Sequence, residues 1–166
     1  MNPTVSLRYA DVGPPGQASP VSQAELTGPD SLSGEEHHFT AVTWSDNTTA
    51  AVAWMNRIQN STAISLCQLA VSAVSGGCKE VFQMNERDGW VDYKFRIVFN
   101  KYRPSGRFLA VMPSKLKYRY RQLWLVDTQA NTRNMLTNTM AEVTEILEWT
   151  KDNVVYYINT LPGTIA

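Results

Sequence analysis

The chain has 166 residues, with 15 Lys and Arg balanced by 15 Asp and Glu, 43% hydrophobic residues and 10% aromatics. Its basic residues are scattered from Arg8 to Lys151, so there is no electrostatic footprint for nucleic acid or an anionic membrane, and its apolar runs fall far short of the roughly 20 residues of a membrane span. The length suits one domain, whereas a repeat architecture needs more chain than this to close on itself.

Met1 to Arg8 lack the basic region and apolar block of a secretory signal. A short strand is expected at Val5 to Tyr9. Residues 10 to 36 follow with Gly13-Pro14-Pro15-Gly16, Ser19-Pro20 and Gly28-Pro29-Asp30, breakers dense enough to predict a surface connection with neither helix nor ladder. From Phe39 the pattern turns to short β-rich runs at Phe39 to Trp44, Ala50 to Arg57, Ala63 to Leu69 and Lys79 to Met84. Val52 and Trp54 fall on one face of the second run, ready to bury against a neighbouring layer. Further strands are expected at Phe108 to Met112, Gln122 to Asp127, Glu142 to Trp149 and Asn153 to Asn159, so the fold class is all-β.

These runs repeat. An aromatic-bearing strand, a polar turn and an apolar strand occur at Trp44, Asp46-Asn47 and Ala51 to Trp54. They recur at Phe99, Ser105-Gly106 and Phe108 to Val111, and again at Trp149, Asp152-Asn153 and Val154 to Tyr157. The turn spacing is 59 positions from Asn47 to Gly106 and 47 from Gly106 to Asn153. Propeller blades occupy about 40 to 50 residues, so the first unit would carry a lengthened hairpin. A β-sandwich with irregular loops is the competing architecture.

The two cysteines, Cys67 and Cys78, end one strand and start the next, with Val74-Ser75-Gly76-Gly77 between them. Facing positions on an antiparallel pair come within disulfide reach, although two unrelated buried thiols account for the same residues in a reducing compartment. Asn47-Thr48-Thr49 and Asn60-Ser61-Thr62 fit the N-glycosylation pattern, which favours export and a disulfide. Glu35-Glu36-His37-His38 invites a metal reading, but adjacent residues on a strand point to opposite faces and cannot easily share one ion. Lys115 to Arg121 alternates basic and aromatic residues, yet it is short and the rest of the chain is neutral, so it reads as a solvated loop and strand start. A Gly-x-Ser-x-Gly elbow, a P-loop and a Gly-x-Gly-x-x-Gly turn are all missing from the sequence.

Phe39-Thr40-Ala41-Val42-Thr43-Trp44, the run from Ala53 through Trp54, Arg57, Gln59 and Asn60 to Thr62, then Cys67, Cys78 and Gly89-Trp90-Val91 resemble the propeller domain of dipeptidyl peptidase IV and its relatives in order and spacing. The resemblance extends from Asn2-Pro3-Thr4-Val5 to Val154 and Tyr157, nearly the whole chain. It implies a partial β-propeller, somewhat more than two blades of an eight-bladed propeller. Residues 1–36 would be a truncated strand and interblade connection, and residues 37–166 the partial propeller domain.

In the family such a propeller caps an α/β-hydrolase domain in a type II membrane glycoprotein, facing the extracellular side of the plasma membrane or secreted. The family forms homodimers and releases N-terminal dipeptides from peptide substrates. Its Gly-Trp-Ser-Tyr-Gly nucleophile motif is not among these residues, so the resemblance implies no catalytic residue here, while the residues themselves lead to no expected metal, cofactor or nucleic-acid partner. Glu35-Glu36 lie in the connection and are not the paired glutamates that hold the substrate amino terminus. Phe95 and Arg96 match a Phe-Arg pair at the periphery of the substrate pocket, one residue farther from Trp90 than the family pattern. The cysteines of a second family disulfide are missing near Leu123 to Thr132. The expected function is a non-catalytic propeller that gates and shapes substrate access to a serine peptidase. The alternative is the propeller of an inactive homologue, binding or modulating a membrane protein; a third possibility is an independent secreted sandwich.

Overall fold

A computed structural model of the chain describes residues 5–16, 22–69, 77–91, 96–103, 105–114 and 119–160. The chain divides into two compact units, Met1–Val91 and Asp92–Ala166.

In the first unit, β1 (Leu7–Asp11) and β2 (Ser22–Leu26) form an antiparallel pair, Leu7 facing Leu26 and Asp11 facing Ser22. The stretch expected to hold no ladder therefore contains a strand. The Gly13 to Gly16 breakers mark the hairpin connection, and beyond it Ala24 and Leu26 alternate with exposed Gln23 and Glu25, so the pair can bury one face. A single 3₁₀ turn at Asp30–Leu32 then drives Leu32 fully into the core, which corrects the expectation of a surface connection.

A four-stranded antiparallel sheet follows in sequence order: β3 (His37–Trp44), β4 (Thr49–Asn56), β5 (Ser61–Gln68) and β6 (Gly77–Asn85). Ala50, Val52 and Trp54 lie on one face of β4, as expected, and pack with Cys67, Leu69, Leu26 and Leu32. Because Ala51, Ala53 and Met55 on the other face are also buried, the strand is covered on both sides, which is how an interior strand reads as a continuous apolar run.

The second unit contains another four-stranded sheet in chain order: β7 (Ile97–Phe99), β8 (Arg107–Pro113), β9 (Arg121–Asp127) and β10 (Thr132–Met135). A two-stranded sheet of β11 (Val143–Trp149) and β12 (Val155–Asn159) follows. Val143, Ile146 and Trp149 of β11 pack on Leu109, Val111 and Leu123 of the preceding sheet, so neighbouring sheets in this unit stack face to face.

The three sequence repeats are the β3–β4, β7–β8 and β11–β12 hairpins, the first two strands of successive sheets. Trp44 faces Ala50, Phe99 faces Phe108 and Trp149 faces Val155 at equivalent positions. The longer first repeat arises both from longer outer strands, with eight residues in β5 and nine in β6 against seven in β9 and four in β10, and from longer connections after β5 and β6 than after β9 and β10. Successive antiparallel meanders in chain order, together with the stacking of the second unit's two sheets, are the arrangement expected of propeller blades and not of a single sandwich.

Candidate functional site

Cys67 and Cys78 face each other across β5 and β6 and form a disulfide, with Cα atoms 3.9 Å apart. The pair is therefore not two separate thiols. Cys67 is fully buried beside Trp54 and Leu69, and Cys78 packs against the same cluster, so the bond ties the outer hairpin to the core. Val74, Ser75 and Gly76 of the expected turn lie outside the described residues, and Gly77 is the first residue of β6.

At one end of this sheet Asn56 is buried and uses its whole amide. Its Nδ2 donates to Glu35 Oε2 and Asn60 Oδ1, each at 2.8 Å, and its Oδ1 accepts from the Asn60 and Ser61 N–H groups at 3.1 and 3.0 Å. Gln59 closes the turn with a positive φ of 63° while its carbonyl accepts from Val91 N–H at 2.7 Å. Asn60, one of the two glycosylation candidates, is half-buried here.

Glu35 thus braces a turn. His37 Nδ1 lies 2.9 Å from the Glu35 carbonyl oxygen, and its ring meets Trp54 edge-on at 5.7 Å. His38 follows on the opposite face of β3, as strand alternation requires. At the other end of the sheet Asn47 is exposed in the β3–β4 turn, beside Asp46.

In the second unit Arg96 forms an ion pair with Glu145 of β11, both side chains about half exposed. Phe95, its expected companion, lies outside the described residues. The Leu123 to Thr132 region, where a disulfide is missing, is closed by ladder and turn bonds. Thr132 pairs with Asp127, whose Oδ1 accepts from Gln129 N–H at 3.0 Å and Ala130 N–H at 2.9 Å. The Ala130 N–H, followed by the Arg107 guanidinium at 2.6 Å, holds the Asp127 carboxyl below its ordinary range. Of the basic-aromatic stretch, residues 115–118 lie outside the described set. Tyr120 accepts from Ser114 N–H through its carbonyl, and Arg121 pairs with Glu142 at 2.8 Å, so the described part is strand and loop scaffolding.

Sequence reasoning missed Asn56 and Glu145. The first is a polar residue closing an otherwise apolar strand run, a legible signal for a satisfied buried amide; the second acquires its partner only through folding.

The family profile described as the dipeptidyl peptidase IV (DPP IV) N-terminal region matches residues 1–164. The chain belongs to this family. Mouse inactive dipeptidyl peptidase 10 is 27% identical over 96% of the chain and 19% of its own length. Venom dipeptidyl peptidase 4 of Vespula vulgaris is 29% identical over 64% of the chain and 13% of its own length. Mouse prolyl endopeptidase FAP is 22% identical over 98% of the chain and 21% of its own length. The chain thus spans about a fifth or less of these curated relatives. The crystal structure of Porphyromonas gingivalis dipeptidyl peptidase 4 matches with a TM-score of 0.63 at 17% identity, covering 82% of this chain and 18% of that one. The DPP IV N-terminal propeller fold follows from that likeness and from the repeated meanders.

Proposed function

We propose that these residues serve, without catalytic groups of their own, as part of a propeller wall that restricts access to a serine-peptidase chamber in an α/β-hydrolase domain of the same protein. The observation that carries this reading is the family match across residues 1–164 of a chain whose described polar clusters brace turns and strand ends. A propeller selects by size: an extended peptide passes its openings while a folded protein does not. On this reading the protein is a glycoprotein of the extracellular plasma-membrane face or a secreted one. It forms homodimers and releases N-terminal dipeptides from peptide substrates, with Phe95 and Arg96 near the outer pocket. Glu145 would hold the Arg96 guanidinium in place.

A second reading has a specific observation in its favour. A relative matching 96% of the chain is named an inactive dipeptidyl peptidase, so the propeller can belong to a protein that hydrolyses nothing; in this reading it binds or modulates a membrane protein instead. Purified full-length protein containing these residues separates the two. A fluorophosphonate probe should label its serine, and a dipeptidyl chromogenic substrate should be cleaved. A folded protein that gives neither signal overturns the peptidase reading and leaves the binding one.

A further inference from the structure

Three equivalent turns join the first two strands of successive sheets, and they use their central residues differently. In the β11–β12 turn Asn153 is required by the fold: its φ is 65°, and its Oδ1 accepts from Trp149 Nε1 at 2.8 Å. In the β7–β8 turn the positive φ of 65° falls on Gly106. In the β3–β4 turn Asp46 does the holding. Its Oδ1 accepts from Thr48 N–H at 2.8 Å, Thr48 Oγ1 at 2.9 Å and Thr49 N–H at 2.8 Å, while Ser45 N–H closes the turn on the Thr49 carbonyl at 2.8 Å. Asn47 stands exposed at the tip, and no hydrogen bond among the described residues involves its amide. Folding does not explain an asparagine there, whereas the sequence Asn47-Thr48-Thr49 offers an acceptor amide with the required threonine two residues on.

We propose that Asn47 carries an N-linked oligosaccharide. Nδ2 attacks the anomeric carbon of the N-acetylglucosamine at the reducing end of a polyprenyl-diphosphate-linked oligosaccharide. The C–N bond forms, the C–O bond to the diphosphate breaks, the polyprenyl diphosphate leaves with the electron pair, and Nδ2 gives up one proton. The transfer precedes closure of the sheet, because Thr49 is buried in the folded chain and its Oγ1 there accepts from Gln68 Nε2 at 3.1 Å. The finished glycan extends from a turn whose bonds to Asp46 and Thr49 do not use Asn47, beside the cavity that Asn47 lines with Tyr9, Asp11 and Trp44. Asn60 lies at the opposite end of the same sheet, one strand length or about 25 Å away. A glycan on Asn47 therefore marks the β3–β4 end as facing solvent and closes it to protein docking.

The inference rests on the exported location proposed above, and Asn60 separates the two. Full-length protein secreted from or displayed on eukaryotic cells is treated with peptide N-glycosidase in heavy-oxygen water, and the peptides containing Asn47 and Asn60 are read by mass spectrometry. Isotope-labelled aspartate is expected at position 47, and N47Q should remove one glycan's worth of gel mobility while T49S retains it. A modified Asn60 beside unmodified Asn47, or two bare asparagines on the exported protein, overturns the inference and keeps the location; full-length protein that reaches neither the medium nor the cell surface overturns the location. Cell-free translation into microsomes gives the same mobility readout without requiring secretion, and an N47Q product that migrates like the parent overturns the inference there too.

Discussion

Asn56 and Glu35, 21 positions apart in sequence, are joined by an Nδ2–H to Oε2 hydrogen bond of 2.8 Å. The bond links the entry to β3 with the end of β4, and the same Asn56 amide holds the Asn60 turn through three more bonds. A buried amide with its donors and acceptor engaged fixes a strand end in one conformation, since each alternative leaves a polar group dry.

Replacing Asn56 with Ala should cost about 2–3 kcal/mol, because the Asn60 and Ser61 N–H groups lose their acceptor in a buried site. Asn56→Asp should cost at least as much: it removes both donors and places a carboxylate against Glu35. Glu35→Ala should cost only about 1 kcal/mol, since Asn56 keeps its bonds to the turn. Urea unfolding of the full-length protein checks the order, and an Asn56→Ala midpoint equal to the parent's would refute the assigned role.

Cys67→Ala with Cys78→Ala should destabilise the protein by about 3 kcal/mol through lost loop constraint. Both side chains touch the Trp54 cluster, so alanine also removes packing. Thermal unfolding in the presence and absence of reductant isolates the crosslink. The double variant should be insensitive to reductant, and a reductant-insensitive parent would contradict a stabilising disulfide.

Asn153→Ala should cost about 1–3 kcal/mol, because alanine must hold the positive φ and Trp149 Nε1 loses its acceptor. Asn153→Gly accepts the same φ without strain, so it should recover roughly 1 kcal/mol of that loss. Equal unfolding midpoints for the two variants would remove backbone conformation from the explanation.

The Thr48 N–H, aided by the Thr48 hydroxyl, holds the Asp46 carboxyl below its ordinary value of 3.8, and Asp127 is held below the same value. Folded-state values depressed in this way mean that the contribution is fully present above the unfolded value. It is lost as pH falls below 3.8 and through the lower folded values. Acid unfolding of the parent should therefore be steeper in that window than that of the D46N/D127N double variant. Parallel curves for the two proteins would contradict the assignment.

Strand β12 exposes Tyr156, Tyr157 and Ile158, and neighbouring Leu147 and Val154 are about half exposed. The equivalent strands β4 and β8 bury nearly every residue. Residues 1–166 expressed alone should consequently self-associate through this apolar strand, and Y156K with I158K should raise the monomer fraction in sedimentation. A monomeric parent with sharp, reversible unfolding would refute this.

Strong local patterns survived into the structure. The apolar run at Ala50 to Trp54 with its large side chains Val52 and Trp54 on one face, the apolar runs at Phe108 to Met112 and Gln122 to Asp127, and the recurrence of aromatic, turn and apolar strand all correspond to observed strands and to the repeated hairpins. The weakest patterns did not. β10 is the four-residue run Thr132 to Met135, polar and largely exposed, and its strand state comes from pairing with β9. β2 was masked by the breakers around it.

The amino acids alone were enough to determine the all-β class, the repeat, the placement of the two cysteines at the ends of successive strands and the family, because each is carried by short-range periodicity or by residue order. Whether Cys67 and Cys78 bond, which faces of β4 are covered, that Glu35 braces Asn56 and that Arg96 meets Glu145 were decided only by the tertiary structure. Those relationships join residues 11, 21 and 49 positions apart. Contacts at such separations depend on sheet register and stacking, which no local pattern encodes. The two acceptor asparagines, alike as three-residue motifs, became distinct for the same reason: one amide is built into a buried network, and the other stands outside a turn that Asp46 already holds.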